Sequence, residues 1–167
     1  METVKKRSDR GADIEVSFDA NEFGKAEVLD HWVKPQLLRS RKGAAVKEDL
    51  KDYTAVFLRV FIYQRKPLVL FCSDQSRSSM NYIDHDLTTY GTFLDLDPSH
   101  ENLSLRSLID HSVVESFGGE GRAVITARVY PTMAINDEAQ RYMFNYGAVD
   151  VKITGLRAWS MKKAQIN

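Results

Sequence analysis

An all-β sandwich or barrel is the fold class this sequence predicts, and three observations predict it. Short runs of alternating apolar and polar residues recur along the chain, separated by turn-forming clusters. Helix-period patterns are few. Residues 110–131, DHSVVESFGGEGRAVITARVYP, join two alternating runs through a glycine hinge, the pattern of a β-hairpin.

The first strand is expected over 12–18, with Ile14, Val16 and Phe18 on one face and Asp13, Glu15 and Ser17 on the other. Residues 24–38 hold Trp32 and a Pro35 that interrupts any helix, so short extended pieces are expected there. The run YTAVFLRVFI at 53–62 is apolar on both faces apart from Arg59, which predicts a central strand covered on two sides. After the turn-like QRKP, residues 68–73 should pair with it as an antiparallel hairpin, with Pro67 at the strand start, where a missing N–H is tolerated. Residues 72–89, CSDQSRSSMNYIDHDLTT, are polar and read as a long loop.

Further strands are expected at 90–95, 103–109, 141–145 and 149–160. In the last, Val149, Val151 and Ile153 face one way and Asp150, Lys152 and Thr154 the other, with Trp159 anchoring the strand. Within the hairpin, His111, Val113, Glu115 and Phe117 alternate with Ser112, Val114 and Ser116. Beyond the hinge, Ala123, Ile125, Ala127 and Val129 alternate with Val124, Thr126 and Arg128. Gly118, Gly119 and Gly121 are expected to supply the positive φ of a tight reversal.

A chain of 167 residues, 43% of them apolar, can bury a real core and falls within the single-domain range. Its 23 basic residues balance 23 acidic ones, so no net field attracts nucleic acid or an anionic membrane. The start METVKKRSDRG has no apolar run behind it and no segment approaches a membrane span, so cytoplasmic synthesis is expected. The single cysteine, Cys72, cannot form an internal disulfide, and His31, His85, His100 and His111 are too scattered for a zinc motif. No metal or cofactor is expected.

Hydrolysis of a sugar bond needs two converging carboxyl groups, so the acids come first. Asp95 and Asp97 are two residues apart but run into Pro98, the mark of a strand end and turn. Asp110 and Glu115 are an odd number apart, so on one regular strand they would emerge on opposite faces, and only a bulge at His111 would bring them together. No G-x-S-x-G elbow accompanies the serines and histidines, and adjacency of Asp110, His111 and Ser112 argues against a relay. GGEG at 118–121 precedes β-branched residues rather than a helix, so a hairpin turn explains it better than a phosphate loop. Asn102-Leu103-Ser104 fits the N-glycosylation pattern, making Asn102 a candidate acceptor on a secretory route.

Several blocks then carry a resemblance. TAVFLRVF at 54–61, CSDQSRSS at 72–79, TTYGTFLDLD at 88–97, LRSLIDHSVVESFGGEGR at 105–122, ITARVYP at 125–131, FNYG at 144–147 and LRAWSM at 156–161 are similar to plant cell-wall invertase sequence. Over 12–162 the chain resembles the C-terminal β-sandwich domain of plant invertases and fructan exohydrolases, glycoside hydrolase family 32, with short tails at 1–11 and 163–167. The resemblance implies a jelly-roll-like sandwich of two antiparallel sheets that packs against an N-terminal five-bladed propeller carrying the chemistry. The family's three acidic motifs have no counterpart here, so no catalytic residue is carried over. Asp74, Arg77, Asp110 and Glu115 are instead candidates for a domain interface or loop contact.

Two departures from the family pattern follow. Between Lys47 and Asp49 the chain lacks about a dozen residues holding a family strand, which predicts an exposed sheet edge. Arg39 and Val124 stand where relatives often have cysteine, leaving Cys72 a free thiol. The resemblance thus implies a non-catalytic accessory module of a beta-fructofuranosidase-like hydrolase, partnered by a propeller. The alternative is a free-standing carbohydrate-binding or inhibitor-like protein, with Trp32, Tyr82 or Tyr90 stacking on sugar such as fructan. Family members are typically cell-wall, extracellular or vacuolar.

Overall fold

The alternating runs are extended chain in the computed structural model, which describes residues 3–4, 11–19, 23–30, 52–81, 88–133, 139–147 and 150–161. In chain order the strands are β1 (Thr3–Val4), β2 (Ala12–Asp19), β3 (Glu27–Val28), β4 (Tyr53–Tyr63), β5 (Lys66–Arg77) and β6 (Thr89–Leu94). They continue as β7 (Leu103–Asp110), β8 (Val113–Gly118), β9 (Ala123–Arg128), β10 (Arg141–Tyr142) and β11 (Lys152–Ser160). One turn of 3-10 helix, Phe23–Lys25, precedes β3. A five-stranded sheet runs β11-β2-β7-β8-β9, all antiparallel. A four-stranded sheet runs β3-β4-β5-β6, antiparallel except for the two-residue parallel pairing of β3 with β4. β1 and β10 form a small separate ladder.

The five-stranded sheet buries one face only. Val16, Val114, Ile125 and Ala127 point inward and are buried, whereas Thr126, Arg128 and Arg157 are exposed. On the outer face, Arg106 Nε and Nη2 donate to the two oxygens of Asp13 at 2.9 and 2.6 Å, and Thr126 donates to Glu115 at 3.1 Å. The inner face meets the four-stranded sheet over Val69, Phe71, Leu94, Leu96, Leu103 and Ile125. Removing each such side chain from water contributes about 1.5–3 kcal/mol, which is why alternation dictates which way this sheet faces.

The four-stranded sheet is covered on both faces. Val56, Leu58 and Val60 pack on the inter-sheet core, while Phe61, Leu70 and Cys72 form a second cluster on the opposite face with Leu29 and Phe57. The two-faced apolar run at 53–62 therefore reads as expected, but its place in the sheet does not. β3 reaches only Phe61 and Ile62, so among the described residues β4 is an edge strand over most of its length rather than a central one. The Lys47–Asp49 junction lies outside the described residues.

Several local expectations change for physical reasons. The expected loop at 72–89 starts later, because β5 continues to Arg77. Ser73 and Gln75 are buried there, and the Gln75 amide donates to the carbonyls of Ser73 and Thr88 while accepting from Ser73 Oγ. Polar composition concealed a strand whose polar groups are satisfied internally. The run from Asp110 is not one strand: it turns at His111 and Ser112, with His111 at φ 47°. Gly119 and Gly121 have positive φ, but Gly118 does not; a Cβ there would lie 2.9 Å from the Phe71 ring, so close packing demands that glycine.

At the C-terminus the alternation of β11 switches phase. Its register with β2 shifts between Ile153 and Gly155, after which Leu156 and Ala158 stand opposite Val16 and Ile14. Val149 lies outside the described residues, and Trp159, 46% exposed, stands opposite Asp13 on the outer face rather than anchoring the strand. What holds β11 is its ladder, closed by Met161 N–H donating to Gly11 O at 2.8 Å. Of residues 141–145, only Arg141 and Tyr142 enter a ladder.

Candidate functional site

The four candidate interface residues occupy two separate places. Asp74 lies on β5, where Oδ1 accepts from Ser76 N–H and Thr89 Oγ, both at 2.9 Å; this is a turn-like clamp between β5 and β6. Arg77 closes the same strand beside Tyr53, whose phenol burial pushes above its ordinary pKa while Arg77 works against that rise. Asp110 ends β7 with its carboxylate 2.6 Å from His111 Nδ1. Glu115 lies mid-β8 and accepts from Thr126.

One expectation about these acids is overturned. Asp110 pairs with Val113, and Leu108 with Glu115, across two strands. The turn at residues 111–112 resets the parity, so Asp110 and Glu115 share the outer face as diagonal neighbours instead of opposing one another. That face is open sheet, with each carboxylate already engaged by His111 or Thr126.

The densest polar network lies elsewhere, where residues 95–102 meet the β8–β9 turn. Asp97 accepts from Ser99 N–H at 2.9 Å and stands 3.1 Å from His100 Nδ1. Glu101 accepts from Asp97 N–H at 3.0 Å and from Arg122. Ser104 Oγ accepts from Glu120 N–H at 2.8 Å. The Ser99 amide and then His100 hold Asp97 below its ordinary 3.8, and Arg122 and then the Asp97 amide hold Glu101 below 4.5. Carboxyls lowered in this way serve as acceptors, whereas a general acid for glycoside cleavage needs its pKa raised. Asn102, the glycosylation candidate, is exposed just ahead of β7.

Concavity and carboxylates do not coincide. A hollow of about 80 Å³ under β10 is lined by Ile14, Arg141, Tyr142, Leu156, Ala158 and Trp159, with no acid among them. Among the described residues, no group of three or more His, Cys, Asp or Glu could hold a metal ion. Of the aromatic candidates, Tyr90 packs against the inter-sheet core, while Trp32 and Tyr82 lie outside the described residues. Cys72 is buried and in no disulfide.

Sequence reasoning missed Asp52. It is buried at φ 59°, just ahead of β4, and its Oδ2 accepts from Thr132 N–H at 2.6 Å, Thr132 Oγ at 3.1 Å and Met133 N–H. No periodicity marks such a residue, because its partners stand some 80 positions away.

Residues 6–160 match the family described as "Glycosyl hydrolases family 32 C terminal". The chain belongs to that family. It is 62% identical over 141 residues to a beta-fructofuranosidase, cell wall isozyme, of Pisum sativum, covering 77% of this chain and 25% of that protein. It is 54% identical over 170 residues to a fructan 6-exohydrolase of Beta vulgaris, covering 93% of this chain and 28% of that protein. The crystal structure of fructan 1-exohydrolase IIa from Cichorium intybus superposes with a TM-score of 0.86 at 41% identity, covering 98% of this chain and 33% of that one. The chain thus spans between a quarter and a third of these glycoside hydrolase family 32 proteins and corresponds to their C-terminal β-sandwich domain. The sugar-beet match runs over 170 positions while using 93% of the 167 residues here, so that relative carries residues inside the matched stretch that this chain lacks.

Proposed function

We propose that this chain is the non-catalytic accessory sandwich of a beta-fructofuranosidase-like hydrolase, with sucrose or fructan cleavage carried by a propeller domain as its partner. The observation that carries the reading is the proportion of the structural match: nearly all of this chain corresponds to one third of the chicory enzyme. The chemistry around its acids agrees, since the candidate carboxylates, half-buried Asp74 and the more exposed Glu101 and Glu115, are engaged as hydrogen-bond acceptors. The module extends over 12–162, and Asp74, Arg77, Asp110 and Glu115 are the polar residues assigned to contact with the partner.

The test has two arms. Purified chain is assayed against sucrose and inulin, and then mixed or co-expressed with a relative's propeller lacking its own sandwich. The reading expects no turnover alone and recovery of soluble, active propeller in the mixture. Turnover by the chain alone, abolished by changing a single acid, would overturn it.

One feature favours carbohydrate as a direct partner. The rings of Tyr142, Phe144 and Tyr146 follow one another at 6.0 and 5.8 Å with interplanar angles of 28° and 26°, and Tyr146 is 50% exposed. Such a series offers apolar surface to sugar rings. Calorimetric titration with inulin should give saturable heat that Tyr146→Ala removes; no heat with the native chain rejects this second reading.

Asn102 separates the two locations. An N-glycan there, read as a mass shift reversed by an endoglycosidase, marks a secretory route of the kind cell-wall proteins take. A bare Asn102 accords with the cytoplasmic synthesis expected from the sequence.

A further inference from the structure

Among the described residues, the outer edge of β4 is unpaired from Thr54 to Val60, and its geometry specifies an occupant. Leu29 N–H donates to Ile62 O at 2.8 Å, which fixes the side of β4 on which Ile62 presents its backbone groups. In an extended strand the N–H and C=O of one residue leave on the same side and those of the next residue on the other. Thr54, Val56, Leu58 and Val60 therefore direct both groups away from β5, while Ala55, Phe57, Arg59 and Phe61 direct theirs toward it. Among the described residues only Phe61 and Ile62 have a ladder partner on the outer side.

Sheet edges in soluble proteins are kept short or guarded by lysine, proline or a bulge. From Val56 to Val60 the edge has none of these guards; the one register irregularity of the β4–β5 ladder lies at its start, between Tyr53 and Ala55. Its one charge, Arg59, donates to Glu27 at 2.9 Å and lies 4.8 Å over the Phe61 ring, so it is turned onto the sheet face. The outermost strands of the other sheet differ: β11 carries Lys152 and Arg157, and β9 is six residues long and ends on Arg128.

We propose that this edge pairs antiparallel with the same edge of a second copy of the chain, joining two four-stranded sheets into one continuous sheet across a twofold axis at Phe57. Only an extended strand complements a row of alternate amides, and an isologous contact supplies that strand without any further partner. Centred on Phe57, Val56 forms a hydrogen-bonding pair with the second copy's Leu58, and Thr54 with its Val60. Arg59 then stands opposite Ala55, which keeps the two guanidinium groups apart; centring on Arg59 would set like charges face to face. With 23 basic and 23 acidic residues, no long-range repulsion opposes the encounter.

The test uses the whole chain. Light scattering should give twice the 19.0 kDa monomer mass, falling toward the monomer on roughly hundredfold dilution. Hydrogen exchange by NMR should find the amides of Thr54, Val56, Leu58 and Val60 losing protection on that dilution, while those of Phe57 and Arg59 keep theirs. Val56→Pro removes one edge-facing N–H and leaves the β5 ladder intact, so it should give a monomer with unchanged far-ultraviolet dichroism. A monomer at every concentration, open-ended aggregates in place of a closed dimer, or edge protection unmoved by dilution would each overturn the proposal. The exchange measurement is made on the unmodified chain and decides the matter even where the proline variant does not fold.

Discussion

The two sheets of this sandwich follow different rules. In the five-stranded sheet one face is apolar and buried and the other carries ion pairs such as Arg106–Asp13, so the sequence alternates and the alternation is informative. In the four-stranded sheet both faces are covered, by Val69 and Phe71 on one side and Leu70 and Cys72 on the other. Alternation is lost there. Side-chain pattern therefore reports how many faces of a strand meet water and says nothing of which edges are paired.

Mutations at matched depth sharpen that contrast. Phe71 is fully buried between the sheets, and Phe71→Ala should cost about 3–5 kcal/mol in urea unfolding, whereas Val124→Thr on the exposed outer face should cost under about 0.5. Equal losses at the two sites would show that the sheets do not share one core. Asp52→Ala removes a buried carboxylate that holds Thr132 and Met133 and should cost about 2–3 kcal/mol, read as a lower urea midpoint with an unchanged slope.

Gly118→Ala tests the contact between the sheets from the other side. Its Cβ would meet the Phe71 ring at 2.9 Å, so the expected loss is about 1–2 kcal/mol, relieved in the double variant with Phe71→Leu. Additive losses would mean that the glycine is required for another reason. The smallest effect expected is in acid. Asp97 and Glu101 sit below their ordinary 3.8 and 4.5, so their contribution is complete above those values and disappears as pH falls through the lowered folded ones. Glu101→Gln should flatten the acid limb of a stability–pH curve without moving its neutral plateau.

Legibility followed the same division. β2, β7 and the β8–β9 hairpin could be read because Val16, Val114 and Ile125 alternate with Glu15, Glu115 and Thr126. The second half of β5 could not, since Ser73 and Gln75 look like loop residues until their partners Thr88 and Ser73 O are brought beside them. β3 is two residues long, below any periodicity, and the parity of Asp110 and Glu115 depended on a turn that one alternating string concealed. Family blocks such as LRSLIDHSVVESFGGEGR were legible without any of this, because a long shared string of residues is specific whatever its fold.

The amino-acid string by itself determined the all-β class, the hairpin, that Cys72 has no internal disulfide and membership of the hydrolase family, since each rests on local pattern or on residue identity. Only the tertiary structure decided that Gly118 lies under Phe71, that Asp52 clamps the 132–133 loop, and that β4, among the described residues, is paired on its outer side at Phe61 and Ile62 alone. Those features join residues tens of positions apart. Distance along the chain carries no record of them until burial of the two apolar clusters brings the strands together.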